Sequence, residues 1–472
     1  VNDQLQWGGR FAGAPDAALL SFGSSLDEDL VLASFDVATS RAHVAALESG
    51  GIIPPGVATE LRAALETVAG EITAGTFAAA AKESGAEDGH GAIDGRVREL
   101  APDAGSWLHA GRSRNDQVAT VLALYVRDRA ARGASLAASA AREALAQARR
   151  ALADETLLAA TTHWQPAQPI LLAFWLEALA ENLVRAVKRF DRVALDALEA
   201  CPLGSGACSG TTLPLDRAAA AAELGFIAPS RNALDAIGNR DLALDLLHAV
   251  ARALGAASRA SEEIVLWSAP AFGYVRLGDE ASTGSSLMPQ KRNPDPFELV
   301  RAHAASGTGA LAAALGTTNG IALSYHRDLQ ETKAVVIRAT ELGLGALAAF
   351  ARALTYVRWN GAHMTARAGD GYTVATDIAD ALVLRGVSAR RAHELVGAAV
   401  AGAEREQRDL SQADLTALTM AAGLTSPLDA PLDAAASVRA KRSSGSTEPS
   451  EVAHAISALE AVLAARERNG TA

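Results

Sequence analysis

At 472 residues with 43 basic against 54 acidic side chains, the chain carries a net charge of -11, which excludes nucleic acid and anionic membrane as main partners. Hydrophobic residues reach 49% while aromatics are only 4%, a balance that points to closely packed Ala- and Leu-rich helices and away from β-sandwiches. The two cysteines, Cys201 and Cys208, make no disulfide framework and have no metal-ligand spacing around them, and no basic stretch followed by an apolar run opens the chain; a cytoplasmic protein without a signal peptide is expected.

In chain order, residues 1–105 mix short helical stretches with loops rich in Gly, Pro and Asp, and length alone predicts about three domains. From 106 to 360 the pattern changes to long amphipathic helices, expected near 115–152, 172–190, 240–267, 294–315 and 329–357. In the second of these, Leu172, Leu176, Leu179, Leu183, Val187 and Phe190 recur every three or four residues and mark one apolar face. Helices of this length, apolar around much of their circumference, need partners on more than one side, which predicts a bundle continued across subunit boundaries. The uncharged run 304–325 is long enough for a membrane span, but its repeated Gly, Ser, Thr and Asn predict a helix and turn buried among other helices. Residues 361–472 return to shorter helices, with Ser443–Pro449 as a turn or hinge. No strand pattern is strong enough to build a sheet on. The fold class is therefore mainly α, with domains at 1–105, 106–360 and 361–472 and a long central helical bundle.

Polar residues gather at four loop-to-helix junctions. At 111–117, Ser113 and Asp116 fit a capping box, but that leaves Arg112, Arg114 and Asn115 unexplained, and such a cluster at a helix start suits a carboxylate. At 161–166, Thr162 and His163 precede a proline expected to start a helix. A lone histidine is more often structural than catalytic, yet two hydroxyls beside it favour a functional reading. At 284–294 a glycine, paired serines, Lys291 and Asn293 run into a helix, with Asn293 as expected N-cap, Pro294 at the first position and Glu298 in the first turn. A mobile loop that closes over substrate is expected here, presenting hydroxyls and an ammonium to an anion. At 325–333, Tyr325, Gln330 and Lys333 either line a polar pocket or belong to a solvated helix start with an Arg327–Glu331 pair. Composition adds weight to the lysines: besides Lys291 and Lys333 the chain has only Lys82, Lys188 and Lys441.

The loop Gly284–Pro294 resembles the GSSxMPxKxN signature of the fumarase and aspartase superfamily. Trp7–Phe11, GRSRNDQVAT at 111–120, Gln168–Ile170, DLQE at 328–331 and Ala375–Asp377 resemble the argininosuccinate lyase family within it, over nearly the whole chain. The resemblance implies a homotetramer whose active sites each draw segments from three subunits, and a cofactor-free elimination yielding arginine and fumarate. By resemblance Ser285 is the base, Lys291 with Asn293 stabilises the carbanion, and His163 acts on the acid side. Ser113, Arg114, Asn115, Thr162, Asn293, Tyr325, Gln330 and Lys333 match substrate-binding positions, with Ser25 and Asp29 as a weaker N-terminal pair. Glu298, His90 and Arg240 match supporting positions. No metal is implied.

The chain departs from the family pattern at Gly89 and Gly91 beside His90, at Asp94, Ala110 and Gly238–Asn239, and at His326. These positions keep open a related lyase releasing fumarate from a different N-substituted aspartate. A crystallin-like structural relative is the third reading, and retention of Ser285, Lys291 and His163 together argues against it.

Overall fold

The computed structural model describes residues 16–468. Trp7–Phe11, which contributed to the family resemblance, lies outside them. The chain divides into two compact units. One comprises residues up to Ala134 with Val187–Leu254 and Ala302–Ala346, and the other Ser135–Ala186, Gly255–Arg301 and Leu347 onward.

The structure is mainly helical, as expected. The elements that carry the argument are α1 (Ala33–Ser49), α2 (Gly89–Leu100), α3 (Arg114–Ala153), the strands β1 (Leu157–Thr162) and β2 (Gln165–Leu171), α4 (Leu172–Asp196), α5 (Ala233–Gly238), α6 (Asp241–Ser268), α7 (Asp295–Thr318), α8 (Asp328–Leu354), α9 (Ala375–Leu384) and α10 (Ala434–Ala440). The five long helices fall within a few residues of their predicted bounds. The six residues singled out on α4 are all buried, so its periodicity did mark the packed face.

In the first unit an N-terminal core gathers Val44, Leu47, Leu61, Leu65, Ile93 and Leu108. Elsewhere in this unit, small residues let helices approach closely. A Cβ added at Gly133 on α3 would lie 2.6 Å from the Phe190 ring of α4, and one at Gly343 on α8 would lie 2.4 Å from Val250 of α6. The second unit has a C-terminal core around Ile378, Leu382, Leu395, Leu415 and Leu418. There Asp377 of α9 accepts bonds from Ser437 on α10 and from Lys441 just beyond it, tying the two helices by a buried, charge-assisted network.

Two features differ from expectation. Among the described residues, three two-stranded ladders are present: β1 with β2, Ala200–Cys201 with Ala228–Pro229, and Val275–Leu277 with Val357–Trp359. The run 304–325, expected to be buried, leaves Leu315 44% and Leu323 83% exposed in the single chain. Among the described residues, two stretches, Ala17–Ser49 and Asp328–Leu354, are long and apolar enough to cross a membrane. Each nevertheless buries polar side chains, among them Thr39, Ser40 and His43 in one and Thr332, Lys333 and Thr340 in the other, as core helices do.

Candidate active site

In the first unit, the start of α3 is built by reciprocal capping. The Ser113 N–H donates to Asp116 Oδ1 at 3.0 Å, and the Asn115 N–H donates to Ser113 Oγ at 3.3 Å. Asp116 is buried, and its second oxygen accepts the N–H groups of Gly204 and Gly206, each at 2.9 Å. Asn115 completes the attachment by donating to Ala207 O at 3.0 Å. The helix start thus holds a glycine-rich loop, 204–210, against the candidate binding residues. Arg114 pairs with Asp88 at 3.2 Å. Arg112 does not join it: its guanidinium is buried and donates to Ser40 Oγ at 3.0 Å, so the expected two-arginine cluster reduces to one.

Ser25, Asp29 and Lys333 come together as one buried group. Ser25 Oγ donates to Asp29 Oδ2 at 2.9 Å, Lys333 Nζ pairs with Asp29, and the ammonium reaches Ser25 Oγ at 3.5 Å. The Gly89 N–H also donates to Asp29, and a Cβ at Gly89 would sit 2.7 Å from Asp29 Cβ; the glycine beside His90 makes this approach possible. Gln330 donates to Gly23 O at 3.1 Å from the same end of α8. The alternative of a wholly solvated helix start fails for Lys333, which is 5% exposed by its side chain. His90 stands behind this group, its Nδ1 2.7 Å from Asp36 Oδ2. Asp36 also accepts from Gln117 at 2.7 Å. Burial alone would raise the Asp36 pKa, but His90, Arg112 and Gln117 outweigh it and bring it to about 2.

Asp88 and Asp36 were not foreseen. Asp88 caps α2 by accepting the Gly91 N–H at 2.6 Å, and an acid ahead of Gly89–His90–Gly91 was a readable N-cap. Burial raises its pKa, yet Arg114 and its neighbours lower it overall. Asp36 sits within a helix, and nothing in its spacing distinguishes it from a surface acid. Arg240 is buried, and burial lowers its pKa to about 10. Tyr325 is half-buried, and burial raises its phenol pKa against the opposing charge of Arg240.

In the second unit, Thr162 and His163 do not precede a helix. They lie at the tip of the β1–β2 hairpin, with Thr162 paired to Gln165, and α4 begins only at Leu172. His163 (φ 55°) and Trp164 (φ 61°) form the two-residue turn, both in the left-handed region, as a type I′ turn requires. His163 is consequently exposed.

The 284–294 loop is tied at its neck and open at its tip. Thr283 and Asn293 exchange backbone bonds of 3.1 and 2.8 Å, and Thr283 Oγ1 bonds Asp295. Asn293 therefore closes the loop and does not cap the helix, which starts at Asp295. Within the loop, Ser285 Oγ accepts the N–H groups of Leu287 at 3.3 Å and Met288 at 3.1 Å. Lys291 is exposed, and Glu298 lies 3.9 Å from Arg301 on the surface of the first turns of α7. Among the described residues, no hydrogen bond or ion pair joins His163 to the 284–294 loop.

Thus Ser25, Asp29, His90, Ser113, Arg114, Asn115, Arg240, Tyr325, Gln330 and Lys333 belong to the first unit. Thr162, His163, Ser285, Lys291, Asn293 and Glu298 belong to the second.

The family model described as Lyase matches residues 9–309, and that for the argininosuccinate lyase C-terminal region matches residues 372–439. Argininosuccinate lyase of Mycolicibacterium paratuberculosis is 41% identical over 475 residues, covering 98% of this chain and 98% of its own length. The corresponding protein of Deinococcus deserti is 40% identical, covering 98% of this chain and 99% of its own length. Among solved structures, EDDS lyase in complex with formate is similar with a TM-score of 0.81 at 24% identity, covering 97% of this chain and 92% of that one, a likeness of fold. With matches of this identity running nearly end to end, the chain belongs to the argininosuccinate lyase family.

Proposed function

We propose that the chain eliminates argininosuccinate to arginine and fumarate without a cofactor, the last step of arginine biosynthesis, in the cytoplasm. Ser285 Oγ takes a proton from the succinyl carbon beside a carboxylate, and Lys291 with Asn293 stabilises the aci-carboxylate that forms. The C–N bond then breaks, its electron pair going to the guanidino nitrogen, which is protonated on the His163 and Thr162 side. Ser113, Arg114, Asn115, Tyr325, Gln330 and Lys333 hold the remaining carboxylate and cationic groups, with Ser25 and Asp29 beneath them.

One observation carries the reading: Ser285 Oγ already accepts two backbone N–H groups. Serine is a poor base in water, and two donors aimed at its oxygen favour the ionised form before any substrate arrives. An ammonium brought up to it on closure of the loop, the role proposed for Lys291, adds in the same direction. Ser285→Ala is expected to lower turnover by about 10²–10⁴-fold while substrate binding survives, since alanine has nothing to take the proton. Near-normal turnover in that variant would remove Ser285 from its role. A panel of N-substituted aspartates, followed by ultraviolet absorbance of fumarate, tests the substrate. Faster release from another member than from argininosuccinate would transfer the amine half to that compound.

The same proposal includes a three-domain subunit in a homotetramer with shared sites. Separate N-terminal and C-terminal cores support the outer two domains. The uncharged run 304–325, with Leu315 and Leu323 exposed, supports cover by further copies.

A further inference from the structure

We propose that the second unit carries a binding site for a small guanidinium compound in the cavity beside the β1–β2 hairpin, with Glu263 as its anionic anchor and aromatic rings as its walls. None of the residues named above for catalysis or substrate binding lines this cavity, and the proposal does not depend on the reaction assigned to the chain.

The chain is poor in aromatic residues, at 4%, and has six tryptophans. Three of them, Trp164, Trp175 and Trp267, line one cavity of about 670 Å³ together with Phe272 and Tyr274. A fourth, Trp359, packs against two of these, its ring centroid 5.7 Å from Trp175 and 6.1 Å from Trp267. Trp175 and Trp267 are themselves 4.9 Å apart, and Tyr274 lies 6.3 Å from Trp267. The helices elsewhere pack with alanine and leucine, so core filling alone gives no reason to gather tryptophan at the wall of an open cavity. Trp164 is 53% exposed, in a turn whose backbone favours a smaller residue.

Glu263 stands one helical turn before Trp267 on α6, and its Oε2 accepts the Trp175 Nε1–H at 2.8 Å. Among the described residues no cation lies within ion-pair distance of it, and Arg259 acts on it only from farther away. The other charged side chains lining the cavity are already paired, Glu262 with Arg301 and Arg367 with Asp370 at 2.9 Å. Burial raises the Glu263 pKa, against the lowering by the Trp175 bond and Arg259. A carboxylate partly withdrawn from water among aromatic rings gains most from a cation that brings its own N–H donors.

The aromatic walls narrow the class of cation. A guanidinium is planar and weakly hydrated, stacks on ring faces and meets a carboxylate through two parallel N–H groups, whereas an ammonium is a compact, strongly hydrated point charge. The same wall already holds one guanidinium, since Arg367 lies over the Tyr274 ring, 5.9 Å from its centroid.

Isothermal titration calorimetry of the whole protein with butylguanidine, and with butylurea as its neutral counterpart of similar shape, tests the site. Butylguanidine is expected to bind at one site per chain, and butylurea about tenfold or more weakly, because it lacks the charge-assisted bonds. Glu263→Gln removes the charge and keeps an oxygen for the Trp175 indole. It should weaken butylguanidine binding about tenfold and leave fumarate release in the absence of the compound unchanged. Trp164→Ala, at an exposed position, should weaken it about threefold by removing one stacking surface. No saturable binding to the wild type, equal affinity for the two compounds, or an affinity unmoved by Glu263→Gln would overturn the proposal. A loss of fumarate release that tracks the loss of affinity would place the compound in the active site and overturn it as well. Should Glu263→Gln fail to fold, Trp164→Ala decides in its place: weaker binding supports the site, and unchanged binding overturns it.

Discussion

Lys333→Met isolates the role of charge in the buried group beneath the first unit's candidate site. Lys333 and Asp29 have side chains only 5% and 1% exposed, so their charges face each other with little screening by water. Removing the ammonium leaves the Asp29 carboxylate with two neutral donors, Ser25 Oγ at 2.9 Å and Gly89 N at 3.3 Å. Breaking a buried pair from one side costs ~3–5 kcal/mol, and the surviving donors place this case near the lower end, at about 3 kcal/mol. Asp29→Asn added to Lys333→Met removes the stranded charge while keeping an oxygen for both donors. The double variant leaves the amide NH2 facing methionine, a loss of about 1–2 kcal/mol relative to wild type. It should therefore be more stable than Lys333→Met alone. Urea unfolding followed by circular dichroism, at one fixed protein concentration, measures each stability, and fumarate absorbance measures each activity. Both variants are expected to remain inactive, since the ammonium is proposed to serve the substrate. A double variant no more stable than the single one would refute the electrostatic account of the cluster. Recovery of activity along with stability would show that Lys333 acts only structurally.

Asp36→Asn should weaken the acid sensitivity of stability. The folded pKa of Asp36 is held at about 2 against an ordinary 3.8, so its contribution is complete above pH ~4 and disappears as pH falls toward 2. That contribution is about 2 kcal/mol, and equal slopes of urea midpoint against pH in both proteins would contradict it. Gly133→Ala places a Cβ 2.6 Å from the buried Phe190 ring and should cost ~1–3 kcal/mol, with Phe190→Leu recovering part of it in a melting experiment. Ser285→Ala and Asn115→Ala subunits, each inactive alone, should regain partial activity when mixed and reassembled, because some sites then receive both intact segments. Persistent inactivity after confirmed subunit exchange would place each site within one chain.

The long helices were legible because a packed face of period 3.6 leaves a regular trace, as the six buried positions of α4 show. The 284–294 loop was legible by composition, but its closure was not. The Thr283–Asn293 pairing depends on two segments meeting, and that meeting moved Asn293 from cap to clasp. The hairpin was missed because Gln165–Pro166–Ala167–Gln168–Pro169 reads as a strand breaker. Proline is tolerated in a ladder of two strands, where each strand keeps one free edge, and the register slips between Ala160 and Thr161 near Pro166. Arg112 was misread for a different reason. Its neighbours Asp36 and Ser40 come from a helix some seventy residues earlier, and no local spacing records them. The exposure of the 304–325 run belongs to the same class, since the sequence indicates that a face needs cover without saying whose.

The hairpin tip has a consequence for any attempt to improve this protein by laboratory evolution. A two-residue turn with both φ angles positive is most comfortable as Asn-Gly, whereas His163 and Trp164 occupy it at about 1 kcal/mol or more of local strain each. A library screened for survival of heating alone should accumulate smaller turn formers at these two positions and lose the imidazole with them. A screen that demands product at every round should keep the histidine and seek its stability elsewhere. The two enriched populations should therefore part company at residues 163 and 164 before they differ in the helices.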